Sequence, residues 1–105
     1  MIEQMTPTEF VRRHAAGDNL LLLDVREAHE LAQSSVKGAL HIPMAQIPGR
    51  LAELDRSRTI AVLCRSGNRS QAVAGFLIQQ GFSNVANLAG GIIRWKQEVD
   101  PSLAV

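Results

Sequence analysis

The chain has 105 residues, 46% hydrophobic and 20% charged, with 11 Lys+Arg against 10 Asp+Glu for a net charge of +1. This composition predicts one globular domain spanning residues 1–105, whose core buries roughly 65% of the unfolded surface without a disulfide or structural metal. The near-neutral balance argues against a nucleic-acid binder, which normally carries a basic excess clustered on one face.

The first twenty residues interleave Glu3, Glu9, Arg12 and Arg13 with apolar positions, which excludes a signal-peptide core and a membrane span. A single cysteine, Cys64, cannot form an intrachain disulfide or a cysteine-based zinc cluster. Together these features predict a cytoplasmic protein with no membrane partner. Charge is unevenly distributed: Ser57 to Gln97 contains no Asp or Glu but holds Arg58, Arg65, Arg69, Arg94 and Lys96. Such a stretch suits a cationic site for a small anion.

In chain order, Thr6-Pro7-Thr8-Glu9 is a dense helix start, with Thr6 as cap, Pro7 at the first helical position and Glu9 completing a capping box. Phe10, Val11, His14 and Ala15 supply the apolar stripe, and Gly17 closes the helix. Leu20 to Val25 is an apolar run interrupted only by Asp24, as expected of a strand buried on both faces of a parallel sheet. A short helical turn over 27–33, a brief strand over 38–42 and a weak helix over 47–54 follow. Thr59 to Leu63 is the second clear strand and stops at Cys64. A polar loop over 65–68 leads into a helix over 69–80, ended by Gly81. Val85 to Leu88 is the last strand, Gly90-Gly91 permits a turn and close helix approach, and a final helix over 92–98 packs Trp95 into the core. The tail 100–105 is expected to be loosely attached. Alternating strands and helices predict an α/β fold, a mostly parallel sheet with helices on both faces. Ligands in such folds bind at strand carboxyl ends.

Cys64 stands at one of those ends. Amides of the segment Cys64-Arg65-Ser66-Gly67-Asn68-Arg69-Ser70 can converge into an anion cradle, assisted by the positive end of the following helix. Amide donors, the helix end and Arg65 and Arg69 all favour thiolate, so Cys64 is predicted to be a nucleophile at neutral pH. Gly67 suits a positive φ, while Ser66 and Asn68 leave the mouth open. Cysteine phosphatases place an arginine six positions after the cysteine, where this chain has Ser70, and Arg69 falls one place short. That count disfavours a phosphatase or arsenate reductase. Asp24 and Arg26 flank the first long strand's end and are expected to form a supporting ion pair. His14, His29 and His41 have no metal-ligand spacing and are assigned surface or packing roles.

These pieces resemble a single-domain rhodanese, a thiosulfate sulfurtransferase. The resemblance rests on Asp24-Val25-Arg26-Glu27, Gly38-Ala39 with Ile42-Pro43, the 64–70 loop, and Leu88-Ala89-Gly90-Gly91-Ile92 with Trp95. Where the family often has Gly-His ahead of the Gly-Ala, this chain has Ser34-Ser35-Val36-Lys37. The resemblance implies a five-stranded parallel sheet with helices on both faces and a cycle through a Cys64 persulfide. Sulfane sulfur would pass from thiosulfate or a similar small anionic donor to cyanide, a thiol or a protein acceptor. It further implies amide stabilisation of the persulfide by residues 65–70, donor attraction by Arg65 and Arg69, and no cofactor or metal. The alternative within the family is a persulfide carrier or redox-sensing binding module without turnover.

Overall fold

The computed structural model describes residues 2–105. Its centre is β2 (Leu20–Asp24) beside β4 (Thr59–Leu63), paired in parallel from Leu20 opposite Thr59 to Asp24 opposite Leu63. Both are short, apolar and rich in residues that pack on either face of a pleated sheet. Leu21, Leu23, Val62 and Cys64 enter one core, and Leu20, Leu22, Ala61 and Leu63 the other.

The flanking strands are β5 (Val85–Leu88) against β4, β1 (Glu3–Met5) against β5, and β3 (Leu40–His41) against β2. The sheet is five-stranded and parallel, in the order β1-β5-β4-β2-β3. α1 (Pro7–Ala15) and α4 (Gly91–Glu98) cover one face through Phe10, Ile92 and Trp95, and the rings of Phe10 and Trp95 lie 5.6 Å apart. α3 (Asn68–Gln79) covers the other through Val73, Ala74 and Leu77. The remaining helix, α2 (Ala28–Gln33), buries none of its residues.

Neighbouring strands β4 and β5 therefore send their following helices to opposite faces. A crevice is left between their carboxyl ends, the position where open α/β sheets bind ligands.

Several sequence expectations need correction. β1 lies just ahead of the expected helix start, where no strand was expected, because a three-residue strand, Glu3-Gln4-Met5, is too short to show a period. The helix expected over 47–54 is a pair of 3-10 segments, Met44–Gly49 and Leu51–Glu53; the first begins ahead of the expected start and so holds Pro48 in its interior, where the missing N–H denies an α-helical bond. Thr6 Oγ1 does accept the Glu9 amide at 3.0 Å, but the Glu9 carboxylate turns to Arg12 at 3.5 Å instead of completing the box. The tail is anchored. Leu103 is only 7% exposed in the α1–α4 core, and the Ser102 amide and hydroxyl both donate to Asp100 at 3.0 and 2.6 Å.

One contact ties the sheet's carboxyl edge together. At Gly91, φ is +60°, and a Cβ there would stand 2.4 Å from the Arg65 carbonyl oxygen and 2.6 Å from that of Cys64. Both neighbours are backbone and cannot move aside. Gly91→Ala is therefore expected to destabilise the protein by about 3 kcal/mol, lowering Tm by ten degrees or more, roughly. Gly17→Ala is the control, because φ is +91° there but nothing lies within 4 Å of the added carbon. Thermal unfolding of the two variants separates collision from backbone strain; equal losses would contradict the account.

Candidate active site

Cys64 follows the last residue of β4, and its residue is 1% exposed. The carbonyls of Cys64 and Arg65 point to the start of α4, where they accept the amides of Ile92 at 2.9 Å and Ile93 at 3.2 Å. In a planar trans peptide the N–H points away from the C=O. Tying down these two carbonyls therefore turns the amides of Arg65 and Ser66 to the other side.

The loop then bends at Gly67, whose φ of +108° only glycine adopts readily. Its amide donates to Cys64 Sγ at 3.1 Å. Ser70, in the first turn of α3, brings its hydroxyl to 3.2 Å from the same sulfur. Burial pushes the Cys64 thiol up, but hydrogen bonds from the Ser70 hydroxyl and from the amides of Ser70, Gly67 and Ser66 together outweigh it, and the net direction is down.

This differs in emphasis from the sequence reading, which credited the two arginines equally with the amide donors and the helix end. Arg69 makes a two-pronged pair with Glu30 of α2, at 2.6 and 2.9 Å, so its charge is largely matched. Arg65 is exposed and borders a cleft of about 160 Å³ with Arg26, His29 and Glu30. On the other side of the loop is an open, polar concavity of about 390 Å³, lined by Gln4, Ser66, Asn68, Gln71, Asn87 and Gly90. Ser66 and Asn68 are exposed there, whereas Gly67 and Ser70 are buried. A separate apolar cleft between Phe10, Leu20 and Trp95 includes no residue of the loop.

Asp24 and Arg26 form a buried pair at 2.9 Å. The Asp24 carboxylate also accepts the Arg26 amide at 3.0 Å, while the guanidinium donates to the Ser34 carbonyl at 2.9 Å. Full hydrogen bonding makes such burial tolerable. The pair braces the chain leaving β2 beside the end of β4. His41 Nε2 lies 2.7 Å from the Arg26 carbonyl, the His14 ring stacks on Phe10, and neither takes part in the sulfur's hydrogen bonds.

Sequence reasoning missed Glu30, Asn87 and Gln4. Glu30 offered no signal beyond being one acid in a charged turn. Asn87 did, as the one polar residue in Val85-Ala86-Asn87-Leu88. Its amide accepts from Ser70 at 2.5 Å and donates to the Gly67 carbonyl at 3.3 Å and to Gln4 at 3.0 Å. The sheet register explains the grouping, since Asn87 sits opposite both Gln4 and Val62, and Cys64 is two residues beyond Val62 on the same face.

The chain and its fold match known proteins. Residues 6–98 match the sequence pattern of the rhodanese-like domain. The chain belongs to the rhodanese-like family. A sulfurtransferase of Allochromatium vinosum is 38% identical over 104 residues, covering 99% of this chain and 97% of that one. The thiosulfate sulfurtransferase GlpE of Stutzerimonas stutzeri is 33% identical over 76 residues, covering 72% of this chain and 70% of that protein. Among solved structures, a rhodanese-related protein from Thermoplasma volcanium superposes with a TM-score of 0.83 at 31% identity, covering 92% of this chain and 93% of that one. This rhodanese-like chain is thus a sulfurtransferase by family, with a five-stranded parallel sheet.

Glu30 gives the site a pH signature. Its hydrogen bonds from the Arg69 guanidinium hold the carboxyl down at about 2, against an ordinary value of 4.5. A carboxylate depressed in the folded state stabilises fully above its unfolded value and loses that contribution as pH falls through the folded one. The pair's stabilisation should fade between pH 4.5 and about 2. Glu30→Gln is expected to lose about 1–2 kcal/mol at neutral pH and to flatten this acid limb. Urea unfolding at several pH values measures both, and parallel pH profiles would contradict the assignment.

Proposed function

We propose that the protein is a thiosulfate-type sulfurtransferase working through a persulfide on Cys64. The observation that carries this reading is the Cys64 sulfur itself, 3.1 Å from the Gly67 amide and 3.2 Å from the Ser70 hydroxyl at the bottom of the loop. Such donors stabilise negative charge on sulfur, whether on the thiolate that attacks or on the persulfide that results. The sulfurtransferases to which the chain is similar support the same chemistry.

In the first half-reaction the Cys64 thiolate attacks the outer sulfur of thiosulfate. A new S–S bond forms, the S–S bond of the donor breaks, and sulfite leaves with the electron pair. In the second, cyanide or a thiolate attacks the outer sulfur of the persulfide, takes it, and returns Cys64 as thiolate. Covalent catalysis of this kind divides one transfer into two easier ones. Arg65 is exposed at the rim and draws in the dianion. Arg69 acts more through the loop, since its guanidinium is held by Glu30. Amides from Arg65 to Ser70 serve the developing charge, and Asp24 with Arg26 supports the loop's foundation. The chemistry uses only side chains and backbone of this chain, and a lone free thiol suits the reducing cytoplasm.

The burial of Cys64, 1% exposed, favours one alternative, a carrier that a partner protein loads and that turns over slowly with a free anion. Thiocyanate formation from thiosulfate and cyanide distinguishes the two. Sustained turnover, lost at least about 1,000-fold in Cys64→Ser with the fold intact, is the expected result. Absence of turnover in the unsubstituted protein, with rapid loading by a persulfidated protein donor, would move the function to the carrier. Arg65→Glu should raise KM for thiosulfate roughly 3- to 10-fold with unchanged Tm. An unchanged KM removes Arg65 from donor attraction.

A further inference from the structure

The Ser70 hydroxyl has one hydrogen and two neighbours that can accept it, Cys64 Sγ at 3.2 Å and Asn87 Oδ1 at 2.5 Å. The orientation of the Asn87 amide is not free. Its Nδ2 donates to the Gly67 carbonyl, which can only accept, and to Gln4 Oε1, whose own Nε2 donates to Gln71 and to the Ile2 carbonyl. Reversing the amide would set its oxygen against the Gly67 carbonyl. Asn87 Oδ1 therefore faces Ser70 as an acceptor, and at 2.5 Å the hydroxyl proton belongs on that line.

The oxygen of Ser70 then presents a lone pair to Cys64, and the thiol S–H donates to it. When Cys64 ionises, the same hydroxyl must turn about its C–O bond to donate to sulfur, giving up Asn87. We propose that Asn87 is a positioning residue that holds the Ser70 hydroxyl away from Cys64, so that the sulfur keeps its proton until the hydroxyl turns. This deepens the sulfurtransfer reading and rests on it for its functional meaning. No atom is transferred by Asn87, and the only proton to leave is that of the thiol, which is released to water. Asn87 is 4% exposed, and its side-chain hydrogen bonds run to Ser70, Gln4 and the Gly67 carbonyl, none of them charged. The charged and titratable groups on the elements around Cys64 are Asp24 at the end of β2 with Arg26 after it, His29 of α2, Glu30 of α2 with Arg69 of α3, exposed Arg65, and Arg94, Lys96 and Glu98 of α4. All of them are left in place when Asn87 is changed.

The chain has one cysteine and no tyrosine, so its ultraviolet thiolate absorbance against pH reads Cys64 with no tyrosinate beneath it. The titration is run on the unsubstituted protein, Asn87→Leu, Ser70→Ala and the double variant. Asn87→Leu frees the hydroxyl for sulfur and is expected to lower the midpoint by about one pH unit, roughly tenfold in the thiolate-to-thiol ratio, the size of one hydrogen bond to a charged group. In the Ser70→Ala background the same change should leave the midpoint where it is. Asn87→Ala replaces Asn87→Leu if the latter lacks a cooperative thermal transition. A midpoint unmoved by Asn87→Leu, or a shift that persists without Ser70, overturns the proposal. Sulfur loading of the unsubstituted protein by thiosulfate separates the two levels. No loading alongside the expected titrations counts against the sulfurtransfer reading alone, whereas loading with a flat Asn87→Leu titration counts against the role of Asn87 alone.

Discussion

Everything at this site depends on the first turn of α4 meeting the backbone of Cys64 and Arg65. Gly91 lets the helix come close enough for the Ile92 and Ile93 amides to take both carbonyls, and no residue with a Cβ fits there without displacing the loop. Once those carbonyls are committed, peptide planarity dictates which way the amides face. The loop's remaining freedom is used by the left-handed turn at Gly67, which aims one more amide at the sulfur. An apparently unrelated glycine pair downstream of the nucleophile is thus a structural part of the cradle.

Two opposing forces act on the Cys64 thiol. Removal from water disfavours its ionised form, and hydrogen bonds from a hydroxyl and three backbone amides favour it more. Cations contribute less than their number in the sequence suggests, because Arg69 is matched by Glu30 and Arg26 by Asp24. Neutralised arginines still matter mechanically. They bind the segment after β2, α2 and the start of α3 into one frame, while Arg65 stays exposed as the cation facing solvent.

Much of this was legible in the sequence because the signals were local. The runs Leu20-Leu21-Leu22-Leu23 and Thr59-Ile60-Ala61-Val62-Leu63 could hardly be anything but buried parallel strands, and a cysteine ending one of them before a Gly-containing polar loop located the site. What stayed hidden depends on distant pairing. Glu30 and Arg69 are thirty-nine residues apart, and Ser70 and Asn87 seventeen, and no spacing rule joins them. β1 was invisible for a related reason, since three residues with two polar side chains become a strand only because β5 offers an edge. The tail was misjudged because one apolar residue, Leu103, suffices to dock it by joining the core that Phe10 of α1 and Trp95 of α4 share.

The central claim is that Cys64 carries sulfur covalently, and intact-protein mass spectrometry after incubation with thiosulfate tests it most directly. The account predicts a gain of one sulfur atom, absent in Cys64→Ser and reversed by cyanide as thiocyanate appears. An unchanged mass after incubation with thiosulfate, or a gain that survives in Cys64→Ser, would contradict it.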